Sequence, residues 1–236
     1  MKEDLLDIKE AAAYLSMNEK SVRKLVEDKK IPALKTGDIW KFRKASLHDI
    51  LSYQMKSLKS EELMHMEIDH EKKSIEIHSL FNEKHVILNL IGNTKSLVLD
   101  ELATLFAKLK GKEKKASLLT SVRDREKLCT TAISEGIAIP HPRKALKNFV
   151  RKPTIIFGRS TIGVDFESLD GSPTYLFFLI CAPRDDVHLK IMARLSRLLR
   201  NYEFRKELMT IKDKKDVAAI VKKYEEKDKK IFKFKY

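Results

Sequence analysis

Cysteine is scarce in this 236-residue chain, with Cys129 and Cys181 as the only two. They stand too far apart for a C-x-x-C pair, which argues against a disulfide framework or a cysteine-held zinc and leaves two buried thiols as the expectation. Seven glycines and six prolines are too few for a collagen-like or low-complexity architecture. Long apolar runs are missing as well: the longest, Tyr175 to Ala182, has eight residues, where a membrane-spanning helix needs about 20. The opening Met1-Lys2-Glu3-Asp4 carries no apolar secretory signal, so a soluble, cytoplasmic protein with no membrane partner is expected. No G-x-x-x-x-G-K-[ST] loop occurs, which argues against direct use of ATP as a phosphoryl donor.

What is present is a folding composition: 43% hydrophobic and 35% charged residues place the chain among globular proteins, and its length predicts one to two domains. Lysine and arginine total 48 against 34 acidic residues, a formal net charge of +14, and such a balance suits a polyanionic partner. From Lys56 to Lys73 the run KSLKSEELMHMEIDHEKK lacks glycine and proline and has only scattered apolar positions. That pattern predicts an exposed, partly helical connector. The expected division is therefore a first domain over 1–57, a connector over 58–74, a second domain over 75–226 and a basic tail over 227–236 to which no role is assigned.

In the first domain, Ala11, Ala12 and Leu15 line one face of a helix, Ser16-Met17-Asn18 supplies turn and cap chemistry, and Val22, Leu25 and Val26 give the inward spacing of a second helix. Ile31 to Leu34 and Ile39 to Phe42 flank Lys35-Thr36-Gly37-Asp38, which predicts a hairpin wing turning at Gly37. Leu47, Ile50 and Leu51 after a Ser46 cap suggest a third helix. Outside the apolar face the second helix carries Lys20, Ser21, Arg23 and Lys24, and the wing adds Lys35, Trp40, Lys41, Arg43 and Lys44. These residues are the candidate DNA contacts, since cations neutralise phosphates while a helix enters the major groove. The run from Ile8 to Leu51 resembles the excisionase and MerR-like winged helix-turn-helix family, carried by Ile31-Pro32-Ala33, Lys35-x-Gly37 and Trp40-Lys41-Phe42. Asp38 in the wing and Glu19, Glu27 and Asp28 on the second helix depart from that basic pattern and imply weak binding by one copy. Two joined copies bind a paired site far better, so a homodimer is expected, with Met55, Leu58, Met64 and Met66 as candidate interface positions.

After the connector, strand-like and helix-like stretches alternate. Val86 to Leu90, Thr154 to Phe157 and Thr174 to Cys181 read as strands. Leu97 to Leu109 reads as a helix facing inward through Leu99, Leu102, Leu105 and Phe106 and stopping at Gly111, and a further helix is expected from Lys112 to about Arg123. His188, Ile191, Met192, Leu195 and Leu199 form a stripe on another helix, with Asp185 and Asp186 as its expected N-caps, and Val217, Ile220 and Val221 mark a last one. The fold class is thus α/β, a small winged helix-turn-helix domain followed by a sheet covered by helices.

The most informative run is Gly136-Ile137-Ala138-Ile139-Pro140-His141-Pro142-Arg143, an apolar approach ending at a histidine held between two prolines. Such an imidazole is restricted in its backbone and can offer one nitrogen to a backbone hydrogen bond and the other for attack on phosphorus, although taken alone a proline-flanked histidine is more often a loop residue. A metal site built from His141, His188 and Glu135 with one of His65, His70, His78 and His85 is not expected, because those four are spaced 5, 8 and 7 apart and lack the i, i+4 pairing common in zinc sites.

HSLFNEKHVILNL, REKLCTTAISEGIAIPHPR and DDVHLKIMARLSRLL resemble, in order and spacing, the type-2 EIIA domains of the bacterial phosphoenolpyruvate-dependent phosphotransferase system, the fructose, mannitol and nitrogen-regulatory group. The resemblance implies a mixed central sheet flanked by helices and a phosphohistidine carrier needing no cofactor. It makes His141 the phosphorylated residue, through Nε2, with Arg125 near the phosphoryl group, His188 donating to a phosphoryl oxygen and Glu135 at a further family position. It also implies an HPr-like phosphohistidine donor and an EIIB or regulatory protein as acceptor. Coupled to the basic first domain, these features lead to the expectation of a phosphorylation-responsive regulator. The alternatives are a sugar-uptake EIIA, or a DNA-binding protein whose EIIA half only docks other proteins.

Overall fold

A computed structural model describes residues 5–15, 18–29, 31–37, 39–43, 46–47, 75–142, 150–168 and 170–233. The chain forms two compact units. One gathers residues 1–75 with 185–196, and the other gathers 76–184 with 197–236.

The first unit starts with a short strand β1 (Leu5–Leu6) that the sequence pattern did not announce. Helix α1 (Ile8–Leu15) is opened by a reciprocal cap: the Glu10 N–H donates to Asp7 Oδ1 and the Asp7 N–H to Glu10 Oε2, both at 2.8 Å. Ala11, Ala12 and Leu15 are buried as expected. Helix α2 (Glu19–Glu27) is capped by Asn18, whose side chain accepts from the Ser21 N–H at 2.8 Å, and buries Val22 and Leu25. An Asn18→Ala change is expected to cost this domain about 1 kcal/mol, read as a lower melting transition.

The hairpin of β2 (Leu34–Thr36) and β3 (Ile39–Arg43) is present, but β2 lies later than the predicted Ile31 to Leu34. Thr36 pairs with Ile39, so Lys35 and Thr36 belong to the strand and the chain reverses at Gly37, whose φ of 61° is open to glycine. Pro32 cannot donate to a ladder, which accounts for the later start. β1 joins the other side of β3, giving the order β1-β3-β2. Leu47 is buried, whereas Ile50, Leu51 and the whole connector with its candidate dimer positions lie outside the described residues.

In the second unit, β4 (Val86–Ile87), β5 (Ile137–Ala138), β6 (Thr154–Val164) and β7 (Thr174–Cys181) form one sheet in the order β4-β6-β7-β5. β6 and β7 are antiparallel, while β4 runs parallel to β6 and β5 parallel to β7, so the sheet is mixed. Helix α3 (Lys95–Lys110) packs Val98, Leu99, Leu102 and Phe106 into a core with Ile156, Phe177 and Leu179. Its approach is close: a Cβ on Gly158 would meet Leu90 and Leu102 side chains at 2.8 and 2.9 Å. Gly111 ends α3 with its N–H on the Ala107 carbonyl.

Several boundaries differ from the sequence reading. Helix α4 runs from Lys114 to Leu128 and so extends past Arg123. Helix α5 (Asp185–Leu199) begins at Asp185 with Arg184 in the cap position, so Asp185 and Asp186 are first-turn residues rather than caps, where their charge still suits the positive helix end. Helix α6 (Tyr202–Thr210) is an additional element capped by Asn201. Helix α7 (Asp216–Lys233) takes in most of the expected tail, and its Asp228 accepts from Arg197 at 2.6 Å. Cys181 is buried but Cys129 is only half-buried, because it sits at the exposed C-terminal end of α4. Among the described residues no helix is long and apolar enough to cross a membrane.

Candidate functional site

The extra turn of α4 is what brings Arg125 into play. Its side chain, 1% exposed, leaves the last helical turn and donates through Nη1 to the Cys129 carbonyl at 2.9 Å. A guanidinium there also complements the negative helix end. Past the helix the chain doubles back on itself. The Ile139 N–H donates to the Thr131 carbonyl at 3.0 Å, Ala132 bridges Ala138, and the Ile133 N–H donates to the Ile137 carbonyl at 2.7 Å. The reversal uses Ser134, Glu135 and Gly136, all at positive φ (23°, 59° and 75°). β5 then pairs with β7, and the Ile180 N–H donates to the Pro140 carbonyl at 3.0 Å. His141 is thereby delivered to the end of a clamped strand.

The imidazole of His141 is itself 1% exposed and held at both nitrogens. Nδ1 lies 2.8 Å from the Ile139 carbonyl, and Arg125 Nε lies 3.2 Å from Nε2. A carbonyl can only accept and a guanidinium can only donate. The proton therefore belongs on Nδ1, and Nε2 carries the lone pair. A neutral ring in this tautomer, beside a permanent cation, is a nucleophile set next to a group able to take up the charge of an arriving oxyanion.

Glu135 is exposed; its carboxylate pairs with Arg205 of α6 at 2.7 Å, and its N–H donates to Asp170 at 3.1 Å. Asp170 also accepts from Ser168 and Ser172, and those hydrogen bonds hold its carboxyl far below the usual carboxylate range. His188 is buried in the first turn of α5, within the stretch that groups with the first unit.

Of the candidate DNA contacts, Lys20, Arg23 and Lys24 are exposed on α2 and Ser21 is half-buried. Strand alternation separates the wing residues. Lys41 and Arg43 share one face of β3, whereas Trp40 lies on the other face with the buried Phe42, and Lys35 stands opposite Trp40 with its Nζ 5.4 Å from the ring centroid.

Sequence reasoning passed over Glu126. Adjacent to Arg125 but turned to another side of α4, its buried carboxylate accepts from the Thr131 N–H at 2.8 Å, the Thr131 hydroxyl at 2.6 Å and Lys95 Nζ at 3.0 Å. Its only signal in the sequence was the position beside Arg125, which by itself reads as a surface charge. Among the described residues no three His, Cys, Asp or Glu side chains converge as metal ligands.

Comparison with known proteins agrees with this architecture. Residues 79–224 match the family model for the phosphoenolpyruvate-dependent sugar phosphotransferase system EIIA 2, and residues 5–52 match a helix-turn-helix domain model. The chain is 38% identical over 145 residues to the fructose-specific EIIABC component of Bacillus subtilis, a match covering 60% of this chain and 22% of that longer protein. It is 37% identical over 131 residues to the nitrogen regulatory protein of Bradyrhizobium diazoefficiens, covering 55% of this chain and 83% of that one. Among solved structures, the nitrogen regulatory protein IIA-Ntr of Neisseria meningitidis superposes with a TM-score of 0.55 at 28% identity, over 61% of this chain and 98% of its own. The Escherichia coli mannitol IIA, at 21% identity and a TM-score of 0.51 over 60% and 98%, shares the fold. A sheet of this order, a proline-flanked histidine at its edge and a family match over 79–224 lead to one conclusion: the chain belongs to the type-2 EIIA family of the phosphotransferase system, with a helix-turn-helix domain ahead of its EIIA domain.

Proposed function

We propose that this protein is a phosphohistidine carrier whose phosphorylation state regulates binding of its helix-turn-helix domain to DNA. The observation that carries the reading is the pair of contacts of His141, Nδ1 against the Ile139 carbonyl and Nε2 against the Arg125 guanidinium, from which the Nδ1–H tautomer follows. In the transfer step the Nε2 pair attacks the phosphorus of an HPr-like phosphohistidine donor. The donor's N–P bond breaks, and its imidazole keeps the electron pair. As the His141 ring gains positive character, the Ile139 carbonyl stabilises Nδ1–H, and the Arg125 guanidinium moves from Nε2 to the phosphoryl oxygens. Such a reaction needs in-line positioning and charge neutralisation rather than a cofactor. The family resemblance gives His188 the role of a second histidine that donates to a phosphoryl oxygen. Glu135 has its carboxylate engaged by Arg205, which offsets its charge.

The phosphoryl group adds about two negative charges. These act on a regulator that engages DNA through Lys20, Arg23 and Lys24, with affinity raised by pairing two copies. The protein is expected to take up acid-labile phosphate from phosphoenolpyruvate in the presence of enzyme I and HPr, and its retention on DNA at fixed salt should change when it does. The similarity to a fructose-specific EIIABC component favours a second reading, sugar-uptake transfer to an EIIB cysteine. Uptake of label with no DNA retention in either state supports that one. DNA retention without any uptake would reduce the EIIA half to a docking module.

A further inference from the structure

A buried carboxylate of α4, next in sequence to Arg125, is tied to the same loop that orients the nucleophile. Glu126 receives both the N–H and the hydroxyl of Thr131 and is neutralised by Lys95, whose ammonium also pairs with Glu167 at 3.0 Å and lies 5.0 Å from the Phe166 ring centroid. Thr131 is not a free end: its carbonyl takes the N–H of Ile139, and the Ile139 carbonyl takes Nδ1 of His141. Two consecutive residues of one helix thus grip the loop at different points. Arg125 holds Cys129 and the imidazole itself, and Glu126 holds Thr131.

We infer that Glu126 is a positioning residue for His141, fixing through Thr131 and Ile139 the carbonyl that selects the Nδ1–H tautomer. The inference rests on the phosphocarrier reading for its kinetic consequence, though not for its structural one. An imidazole whose carbonyl partner shifts no longer presents Nε2 in line, and a displacement near 1 Å at a reacting atom costs up to about 10²-fold in rate. A carboxylate is required because it must accept three donors at once; an amide of the same size has only one accepting atom and turns two N–H bonds toward Thr131 or Lys95.

The test uses the full chain with 15N-labelled histidine. In Glu126→Gln the ring nitrogens of His141 are expected to shift from a single Nδ1–H tautomer toward an exchanging mixture. The rate constant of phosphoryl uptake from phospho-HPr is expected to fall about tenfold while the KM for the donor stays put. Thr131→Val, which removes only the hydroxyl contact, should move both readouts in the same direction by less, and it serves if Glu126→Gln does not fold. A folded Glu126→Gln protein with the wild-type tautomer and rate constant overturns the inference even if its melting temperature has dropped. Failure of the wild-type chain to take up phosphate would instead overturn the carrier reading, and the nitrogen spectrum would still decide the role of Glu126.

Discussion

Replacing His141 by alanine is expected to reduce acid-labile phosphate uptake to background while leaving the unphosphorylated protein able to retain DNA. Alkaline quench and label counting measure the first, and a filter-retention assay at fixed salt measures the second. The loss is complete because the lone pair on Nε2 has no substitute: Arg125 cannot act as a nucleophile, and the neighbouring carbonyls of Ile139 and Cys129 are already engaged. Persistent uptake by the His141→Ala protein would remove the assignment. Arg125 separates two roles that the buried pair combines. Lysine at 125 keeps a charge but offers a point donor in place of a fork, so it cannot hold the Cys129 carbonyl and the reacting group together. Loss of one aimed donor at a charge-developing centre costs about 10²–10³-fold, so Arg125→Lys should remain phosphorylatable, slowly, where His141→Ala is not.

How much of this was legible in the sequence follows from which interactions are local. Ala11, Ala12 and Leu15 announced their helix because burial repeats at the helical period, and Gly37 and Gly111 announced a turn and a stop because their backbone angles suit glycine. Two flanking prolines marked the backbone at His141 as restricted, but by themselves they read equally as a loop, and it was the resemblance of the whole run that gave the residue its expected role. The end of α4 was not legible. Leu128 and Cys129 carry no stop signal, and the helix is prolonged by side chains whose partners, Thr131 and Lys95, are supplied by the folded loop and by α3. β1 escaped notice because two residues have no period; its pairing is with β3, Leu5 with Arg43 and Leu6 with Phe42. The ion pair of Glu135 with Arg205, 70 residues later in the sequence, was likewise beyond reach of any local pattern.

Arg159 presents the largest stability effect, again through long-range partners. It sits in β6, and its guanidinium, 8% exposed, donates through Nε to the Leu88 carbonyl at 3.0 Å and through Nη1 to the Met209 and Ile211 carbonyls at 2.8 and 2.7 Å. The last two are carbonyls at the C-terminal end of α6, which the helix cannot satisfy from within. One side chain therefore caps α6 against the sheet and fixes the strand beside it, where the Leu90 N–H returns to the Arg159 carbonyl at 2.8 Å. Methionine in its place keeps the apolar stem but leaves two buried acceptors and one half-buried acceptor without their donor. At about 1–3 kcal/mol for each abandoned group, less the desolvation that the guanidinium no longer suffers, the net cost is about 3 kcal/mol. In calorimetry the transition of the EIIA unit should move down by about 6–12 °C. Arg159→Lys, able to reach some but not all of these acceptors, should fall between the two. A transition for Arg159→Met within about 2 °C of wild type would mean that other donors replace the guanidinium and that the end of α6 is held by packing alone.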